Sequence, residues 1–395
     1  MRWPAGGAGR RLRPLRGAGA ARRGGRGERA LGALTRIALL GVGLIGGSIG
    51  LAARGRVDGA EVRGYDPDGA ALDRAVALGA IDAACDSVRA AVSDADVCFV
   101  CAPVSALPGL VEEALAAGGE GVVTDVGSVK RPVVDRVPDA ERFIGGHPLA
   151  GAEASGVEHA RADLFDGATW YLTPAERSSG ILYERLFGLV AALGGRPAAI
   201  AADVHDRLMA TVSHLPHVLA NVLVGQAARE LADESQGLPA TGPSFRDATR
   251  VAGANPALWR DIFLANREAL ERELDAYLAA LQEVREALRA GDPARLAQWI
   301  EGARADRQRL LEADLAGGPV SEVRVAVPNR PGIVAQIALA LSEAGINIVD
   351  MALYPAPDMQ SGAIALWVAG EGSADRAVEL AAGLGYAAAP VDSGG

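Results

Sequence analysis

The chain has 395 residues, 22% of them charged, and its formal net charge at pH 7 is −10. That length exceeds what one hydrophobic core usually supports, so we expect two or three domains, and the 50% of apolar residues can fill their cores. The acidic balance argues against nucleic acid or an anionic membrane surface as a partner. An anionic ligand would therefore need a local cluster of positive groups.

The first 35 residues differ in composition from the rest of the chain. Residues 1–30 hold nine arginines, eight glycines and one acid, which cannot build a core. The apolar residues 37–53 that follow are few for a membrane span and are interrupted by glycines, so no signal peptide or anchor is expected. We predict a disordered Arg/Gly-rich tail at 1–35 on a cytoplasmic protein, with an over-extended start as the alternative.

Beginning at Arg36, short apolar runs alternate with alanine-rich helical stretches. The runs include "RIALL", "EVRGYD", "DVCFVCAP" and "GVVTDVGS". Such alternation is typical of a parallel sheet covered by helices on both faces. We predict an α/β, Rossmann-like dinucleotide-binding domain over residues 36–200.

The first turn, "GVGLIGGS", has the spacing G-x-G-x-x-G directly after a strand and at the start of a helix, where backbone amides attract phosphates. Asp66 follows at the end of the next strand, where its carboxylate can accept hydrogen bonds from ribose hydroxyls and would repel a 2′-phosphate. The sequence therefore favours NAD over NADP. The predicted cofactor residues are Gly41, Gly43, Leu44, Ile45, Gly46 and Asp66.

Three polar residues follow later strands of the same predicted sheet. Ser128 and Lys130 come after "VVTD", and His147 lies in "GGHPLAG". Because open parallel sheets bind ligands beyond the carboxyl ends of their strands, these side chains can converge near the nicotinamide. A histidine there can act as an acid or base near neutral pH, although a structural histidine is the simpler interpretation. Lys130 is the only lysine in the chain.

Residues 201–316 are predicted to form an all-α domain. On its first helix Ser213 and His217 share a stripe with Asp206, and polar groups on an apolar helix are costly unless they are paired or face a ligand. His214 points elsewhere and is interpreted as structural. Arg250 is a possible anion anchor, because a guanidinium binds a carboxylate through two hydrogen bonds. Asn255 and Pro256 are predicted to be the cap and first residue of a later helix.

Residues 320–395 follow the order strand, helix, strand, strand, helix, strand. That order predicts a ferredoxin-like α+β module. The three cysteines do not indicate a disulfide framework. Cys98 and Cys101 are three apart on a buried strand and so point to opposite faces, and no metal site is expected.

Together these segments resemble the prephenate dehydrogenase family. The matching stretches are "GVGLIGGS", "DVGSVK", "GGHPLAGAEASGVEHARADLFDGATWYLTP", "DVHDRLMATVSHLPH" and "SFRDATR" with "NPALW", in the family's order and between about residues 36 and 315. The resemblance implies an NAD-dependent oxidative decarboxylation of prephenate to 4-hydroxyphenylpyruvate and CO₂ in tyrosine biosynthesis. It also implies a homodimer formed through the helical domain.

The resemblance further implies roles for single residues. A neutral His147 would accept a hydrogen bond from the ring hydroxyl of the substrate as hydride leaves, and Ser128 would orient the histidine and the nicotinamide. By the same resemblance, Arg250 would bind a carboxylate of the substrate. His217 and Ser213 would line the substrate site, and Lys130 would have a supporting electrostatic role.

The C-terminal module resembles an ACT domain through "VPNRPGIVAQIALALSEAGINIVDM". Such domains usually pair and bind small amino acids near their first strand-to-helix loop. The resemblance implies allosteric inhibition by tyrosine bound near Asn329, Gly332 and Asn347. A purely structural pairing role is the alternative.

Other functions remain open at this level. Arogenate, or cyclohexadienyl, dehydrogenase keeps the chemistry but takes an amino acid side chain in place of the pyruvyl group. A non-catalytic regulator that senses NAD or an amino acid would not need a base beside the nicotinamide. A β-hydroxyacid or imine reductase should place lysine or aspartate in the helical domain's catalytic position, and that domain contains no lysine.

Overall fold

The computed structural model describes residues 35–151, 154–175, 177–230, 241–313, 320–328, 333, 336–337, 340–341, 344–356 and 360–391. The predicted tail, apart from residue 35, lies outside this range. Contacts divide the chain into two compact units. The first contains residues up to 219 together with 253–271, and the second contains 220–252 together with 272–395.

A five-stranded parallel sheet forms the centre of the first unit. Its strand order is β3-β2-β1-β4-β5, the doubly wound order whose direction reverses between β1 and β4. The strands are β1 Arg36–Leu40, β2 Glu61–Tyr65, β3 Ala83–Ala84, β4 Val97–Val100 and β5 Val122–Asp125. The helices between and after them are α1 Leu44–Arg56, α2 Gly69–Ala77, α3 Val88–Val92, α4 Leu107–Ala116 and α5 Arg131–Val134.

The central strands are apolar on both faces because helices cover both. Ile37 and Leu39 belong to one buried cluster, and the alternate residues Ala38 and Leu40 belong to another. Cys98 packs in the second cluster and Cys101 against the first. The Rossmann-like arrangement predicted from the strand and helix alternation is confirmed.

A second, three-stranded sheet extends this unit beyond β5. It contains β6 Ile144–Pro148, β7 Thr169–Pro174 and β8 Arg196–Ala199, in that order, with α6 Gly180–Ala192 leading into β8. A short 3₁₀ turn covers Val157–His159. β6 runs antiparallel to β7 and pairs His147 with Tyr171. One parallel bridge, Val123 to Phe143, joins the start of this segment to β5.

One continuous helical stretch follows β8: α7 Ala202–Met209, a π-helical turn Ala210–His214 and α8 Leu215–Glu230. The wide turn ends two residues before Pro216, which has no N–H to donate to the carbonyl four residues earlier. By length and composition, Ala202–Glu230 could cross a membrane. Its first turns carry His205 and Asp206, which are both buried.

The remaining helices are α9 Pro243–Thr249, a 3₁₀ turn Arg250–Gly253, α10 Pro256–Ala265, α11 Arg267–Ala290 and α12 Pro293–Ala313. The predicted cap is confirmed, because the Asn255 side chain accepts hydrogen bonds from the amides of Ala257 and Leu258, and Pro256 is the first helical residue. α10 packs its buried Ile262 against Val104 and Val129, in the loops after β4 and β5.

A four-stranded sheet with antiparallel neighbours ends the second unit, in the order β10-β11-β9-β12. Its elements are β9 Val320–Pro328, β10 Asn347–Pro355, β11 Ser361–Ala369, α13 Ser373–Gly383 and β12 Ala388–Pro390. Of the predicted effector residues, Asn329 and Gly332 lie outside the described residues, and Asn347 is the first residue of β10.

Candidate active site

The glycine turn leaves space at its centre and none at its ends. Gly41 has a φ of +101°, and a Cβ on Gly46 would collide with the carbonyl oxygen of Gly41, so neither position tolerates a side chain. A Cβ on Gly43, in contrast, would meet nothing within 4 Å. This is the open backbone approach that a pyrophosphate needs at the amino end of α1.

Asp66 lies directly beside this turn. One carboxylate oxygen accepts a hydrogen bond from the amide of Val42 at 3.0 Å, and the other accepts one from the amide of Asp68 at 2.9 Å. Each oxygen keeps a second lone pair, so the same carboxylate can also accept hydrogen bonds from ribose hydroxyls. The residues present therefore fit a dinucleotide without a 2′-phosphate.

His147 lies on β6, and a close backbone approach holds this strand against β5. The Gly146 amide donates to Asp125 Oδ1 at 3.1 Å. A Cβ on Gly146 would lie 2.5 Å from the Asp125 carbonyl oxygen and 2.7 Å from Thr124 Oγ1. Because any side chain would push β6 away, the glycine before His147 sets the position of the histidine.

A chain of hydrogen bonds leads from His147 into α7. His147 Nδ1 lies 2.8 Å from His205 Nε2, and His205 Nδ1 lies 2.8 Å from Asp206 Oδ1. Asp206 also accepts the backbone amides of Lys130 at 2.7 Å and Arg131 at 2.8 Å. The carboxylate thus joins the loop after β5 to the two histidines.

Burial keeps the His147 imidazole neutral. The side chain is only 9% exposed, and desolvation holds its pKa well below the ordinary value of 6.5, with further lowering by the neighbouring titratable groups His205, Lys130 and His214. A neutral imidazole can accept a hydrogen bond or a proton, whereas an imidazolium cannot. The predicted neutral state of His147 therefore agrees with its surroundings.

Lys130 lies deeper than the predicted substrate contact requires. Its side chain is fully buried, and Nζ donates to Asp125 Oδ2 and to the Gly146 carbonyl oxygen. Burial lowers its pKa, and the charges of Asp125 and Asp206 oppose that shift. This placement supports a role in fixing β6 and in setting the potential at His147 rather than a direct contact with a ligand.

The other predicted catalytic and substrate residues of the first unit are Ser128, Ser213 and His217. Ser128 is half-buried in the loop between Asp125 and Lys130. Ser213 lies in the π-helical turn, and its carbonyl accepts a hydrogen bond from His217 Nδ1 at 3.1 Å. The His217 ring stacks on Trp259, with centroids 3.3 Å apart.

Arg250 belongs to the second unit, where it is exposed at the first residue of the 3₁₀ turn after α9. A guanidinium can bind a carboxylate through two parallel hydrogen bonds.

His205 was not among the predicted site residues, and Asp206, with Ser213 and His217, was expected either to be paired or to face a ligand. In the structure Asp206 is paired, with backbone amides and with His205. The segment "DVHDRLM" could have indicated these two residues, because a histidine and an aspartate next to each other on a buried helix need hydrogen-bond partners. Its partner lies 58 residues away, a separation that one sequence does not resolve.

Comparisons with known proteins agree with this geometry. The family model for the nucleotide-binding domain of prephenate dehydrogenase matches residues 49–197, and that for its dimerization domain matches residues 201–302. Prephenate dehydrogenase of Bacillus subtilis is 32% identical over 324 residues, covering 80% of this chain and 87% of the relative. The chain belongs to the prephenate dehydrogenase family.

Two further relatives extend the comparison. Cyclohexadienyl dehydrogenase of Zymomonas mobilis is 36% identical and covers 65% of this chain and 89% of its own. A crystal structure of Aquifex aeolicus prephenate dehydrogenase with hydroxyphenyl propionate and NAD⁺ superposes with a TM-score of 0.65 at 27% identity, covering 70% of this chain and 99% of that one. This member of the prephenate dehydrogenase family is an NAD-dependent dehydrogenase.

Proposed function

We propose that the protein converts prephenate and NAD⁺ to 4-hydroxyphenylpyruvate, CO₂ and NADH in the cytoplasm. The observation that carries the proposal is the neutral His147, held by His205 and Asp206 beside the loop of Ser128 on a domain that binds NAD. We keep three structural domains in this proposal: a dinucleotide-binding domain at 36–200, a helical domain at 201–316 and an ACT domain at 320–395.

The cofactor residues we propose are Gly41, Gly43, Leu44, Ile45, Gly46 and Asp66, and the bound NAD supplies the hydride acceptor. His147 Nε2 accepts the hydrogen bond from the ring hydroxyl while the C4–H bond breaks and the ring carboxylate leaves as CO₂, so that an aromatic ring forms. Electrons from the broken C–C bond enter the ring, and the oxygen ends as a phenol. Neutrality at His147 makes it an acceptor throughout the physiological pH range.

Ser128, Ser213 and His217 are proposed to orient the reacting groups. Arg250 is proposed as the anchor for a substrate carboxylate through two parallel hydrogen bonds. Lys130 acts indirectly, since its ammonium is buried and bound to Asp125. These few groups explain how an acidic protein can bind a dianion.

The first test is absorbance at 340 nm with NAD and either prephenate or arogenate. NADH formation with prephenate supports the proposal. Formation with arogenate alone would assign the family's alternative substrate, and no NADH with either would favour the non-catalytic regulator.

The His147→Asn variant tests the proposed base. We expect kcat to fall about 100-fold or more, because the acceptor for the hydroxyl proton is lost, while KM changes little. Exposed His159, replaced by Gln, is the matched control. Unchanged turnover in His147→Asn would remove the histidine from the mechanism.

The Arg250→Ala variant tests the proposed anchor. Loss of hydrogen bonds to a charged group is expected to raise the KM for prephenate about 10- to 100-fold, with a smaller effect on kcat. The measurement is initial rate against prephenate concentration at saturating NAD. An unaltered KM would place the carboxylate elsewhere.

For the C-terminal module we propose an ACT domain that binds tyrosine near Asn329, Gly332 and Asn347. The strand order β10-β11-β9-β12 with antiparallel neighbours supports it, since this is the order of a ferredoxin-like sheet. Inhibition by tyrosine that disappears in a chain ending at residue 316 would agree with the proposal. Inhibition that survives the deletion would place tyrosine at another site.

A further inference from the structure

The buried carboxylate of Asp206 determines which His205 nitrogen carries a proton. Its two oxygens already accept the amides of Lys130 and Arg131, and an ionised carboxylate has no proton to donate. His205 Nδ1, 2.8 Å from Asp206 Oδ1, must therefore be the donor. In a neutral imidazole the other nitrogen, Nε2, is then an acceptor.

The tautomer of His205 determines the tautomer of His147. His205 Nε2 accepts, so His147 Nδ1, at 2.8 Å, donates to it. A neutral His147 then carries its lone pair on Nε2. In the part of the chain that the structure describes, no other group hydrogen-bonds the His147 ring.

Packing fixes the ring planes as well as the protons. His205 is fully buried, and its ring meets that of His147 edge-on at 74° and that of Tyr171 edge-on at 81°. Tyr171 is the strand partner of His147 in β7. His205 is thus held between two neighbouring side chains of one strand pair and cannot turn without breaking both contacts.

We propose that His205 and Asp206 are positioning residues that hold His147 in the Nδ1–H tautomer, with an unprotonated Nε2 turned toward the reacting hydroxyl. The proposal deepens the proposed function and rests on His147 being the acceptor. The competing state has a doubly protonated His205 that donates to His147 Nδ1. His147 Nε2 would then carry the proton and could not accept one.

The test uses the full-length enzyme and four variants: His205→Leu, His205→Gln, His147→Asn and the double variant His147→Asn/His205→Leu. We expect His205→Leu to lower kcat about 10- to 100-fold with KM values for substrate and NAD within about twofold, as loss of a group that orients a ligand does. His205→Gln should recover part of kcat, because its amide oxygen can accept from His147 Nδ1. The double variant should be no slower than His147→Asn alone.

Two further measurements keep the test independent of folding. Thermal unfolding compares each variant with the control His159→Gln. ¹⁵N NMR of histidine-labelled wild-type enzyme reads the tautomers directly, and the proposal requires the His147 proton on Nδ1. A proton on Nε2, or equal losses in His205→Leu and His205→Gln, would overturn it.

The outcomes separate this proposal from the proposed function. An inactive His147→Asn with a fully active His205→Leu would refute only the positioning role. An active His147→Asn would refute the acceptor role itself, whatever the His205 variants show.

Discussion

His214 is buried beside the histidine chain and has a hydrogen-bond partner on one side only. Asn266 Nδ2 can only donate, so His214 Nδ1 accepts at 3.1 Å, and Nε2 has no partner among the described residues. Burial lowers the pKa of His214 to about 4. The His214 imidazole therefore binds a proton less readily in the folded protein than in the unfolded chain.

This difference predicts how stability depends on pH. Above pH 6.5 His214 is neutral in both the folded protein and the unfolded chain. As the pH falls from there toward 4, only the unfolded chain binds the proton, so the free energy of unfolding decreases. The decrease ends near pH 4, where the folded protein binds the proton as well. The contribution is up to about 3 kcal/mol. In His214→Leu, urea unfolding between pH 7 and 4 should show a smaller loss. An unchanged loss in His214→Leu, equal to that in His159→Gln, would contradict it.

At the scale of strands and helices, the approach of β6 to β5 depends on one missing side chain. Gly146→Ala would place a methyl group 2.5 Å from the Asp125 carbonyl oxygen. We expect a loss of about 3 kcal/mol or more in the free energy of unfolding, since neither backbone can move away without losing hydrogen bonds. Activity should fall with it, because His147 follows directly.

Gly188→Ala provides the matched control for this substitution. Gly188 lies inside α6, and an added Cβ there would meet nothing within 4 Å. Alanine is the better helix former, so stability should rise by about 0.5–1 kcal/mol. Equal effects of the two substitutions on urea unfolding would show that the tight contact at β6 is unimportant.

The elements were predictable where a local pattern dictates them. The strands β1, β2, β4 and β5 follow from short apolar runs, and the cap at Asn255 from an asparagine before a proline. The π-helical turn was not predicted. The missing N–H of Pro216 favours a bend, yet whether a helix bends or widens depends on what packs around it.

The site was predictable only in part. His147 and the glycine turn could be found because each sits at the end of a strand, where parallel sheets bind ligands. His205 could not, because its importance comes from one contact with a residue 58 positions away. Lys130 was found as a singular residue, but a sequence does not show whether a lysine points to solvent or into a core.

For the molecule as a whole, we propose that the helical domain pairs two copies of the chain. Residues 201–302 match a dimerization domain, and exposed apolar side chains lie along its first helices, among them Val212, Val222, Leu223 and Val224. Several exposed valine and leucine side chains on one helical stretch are typical of a protein–protein interface.

Val222→Glu should weaken the dimer, because burying a carboxylate in an apolar interface is costly. Light scattering at micromolar concentration should then show a larger monomer fraction than in the unmodified protein. Val76→Glu, at an exposed apolar position on α2, is the control and should leave the mass unchanged. A monomeric unmodified protein would contradict the proposed pairing.

The single lysine of the chain has a practical consequence. Since the side chain of Lys130 is completely buried, an amine-reactive reagent finds no lysine target in the folded protein. Lysine acetylation and similar modifications are blocked in the same way as long as this region stays closed. Reaction at this one residue would therefore report the opening of the region around His147, and its rate under native conditions would time that opening without any engineered label.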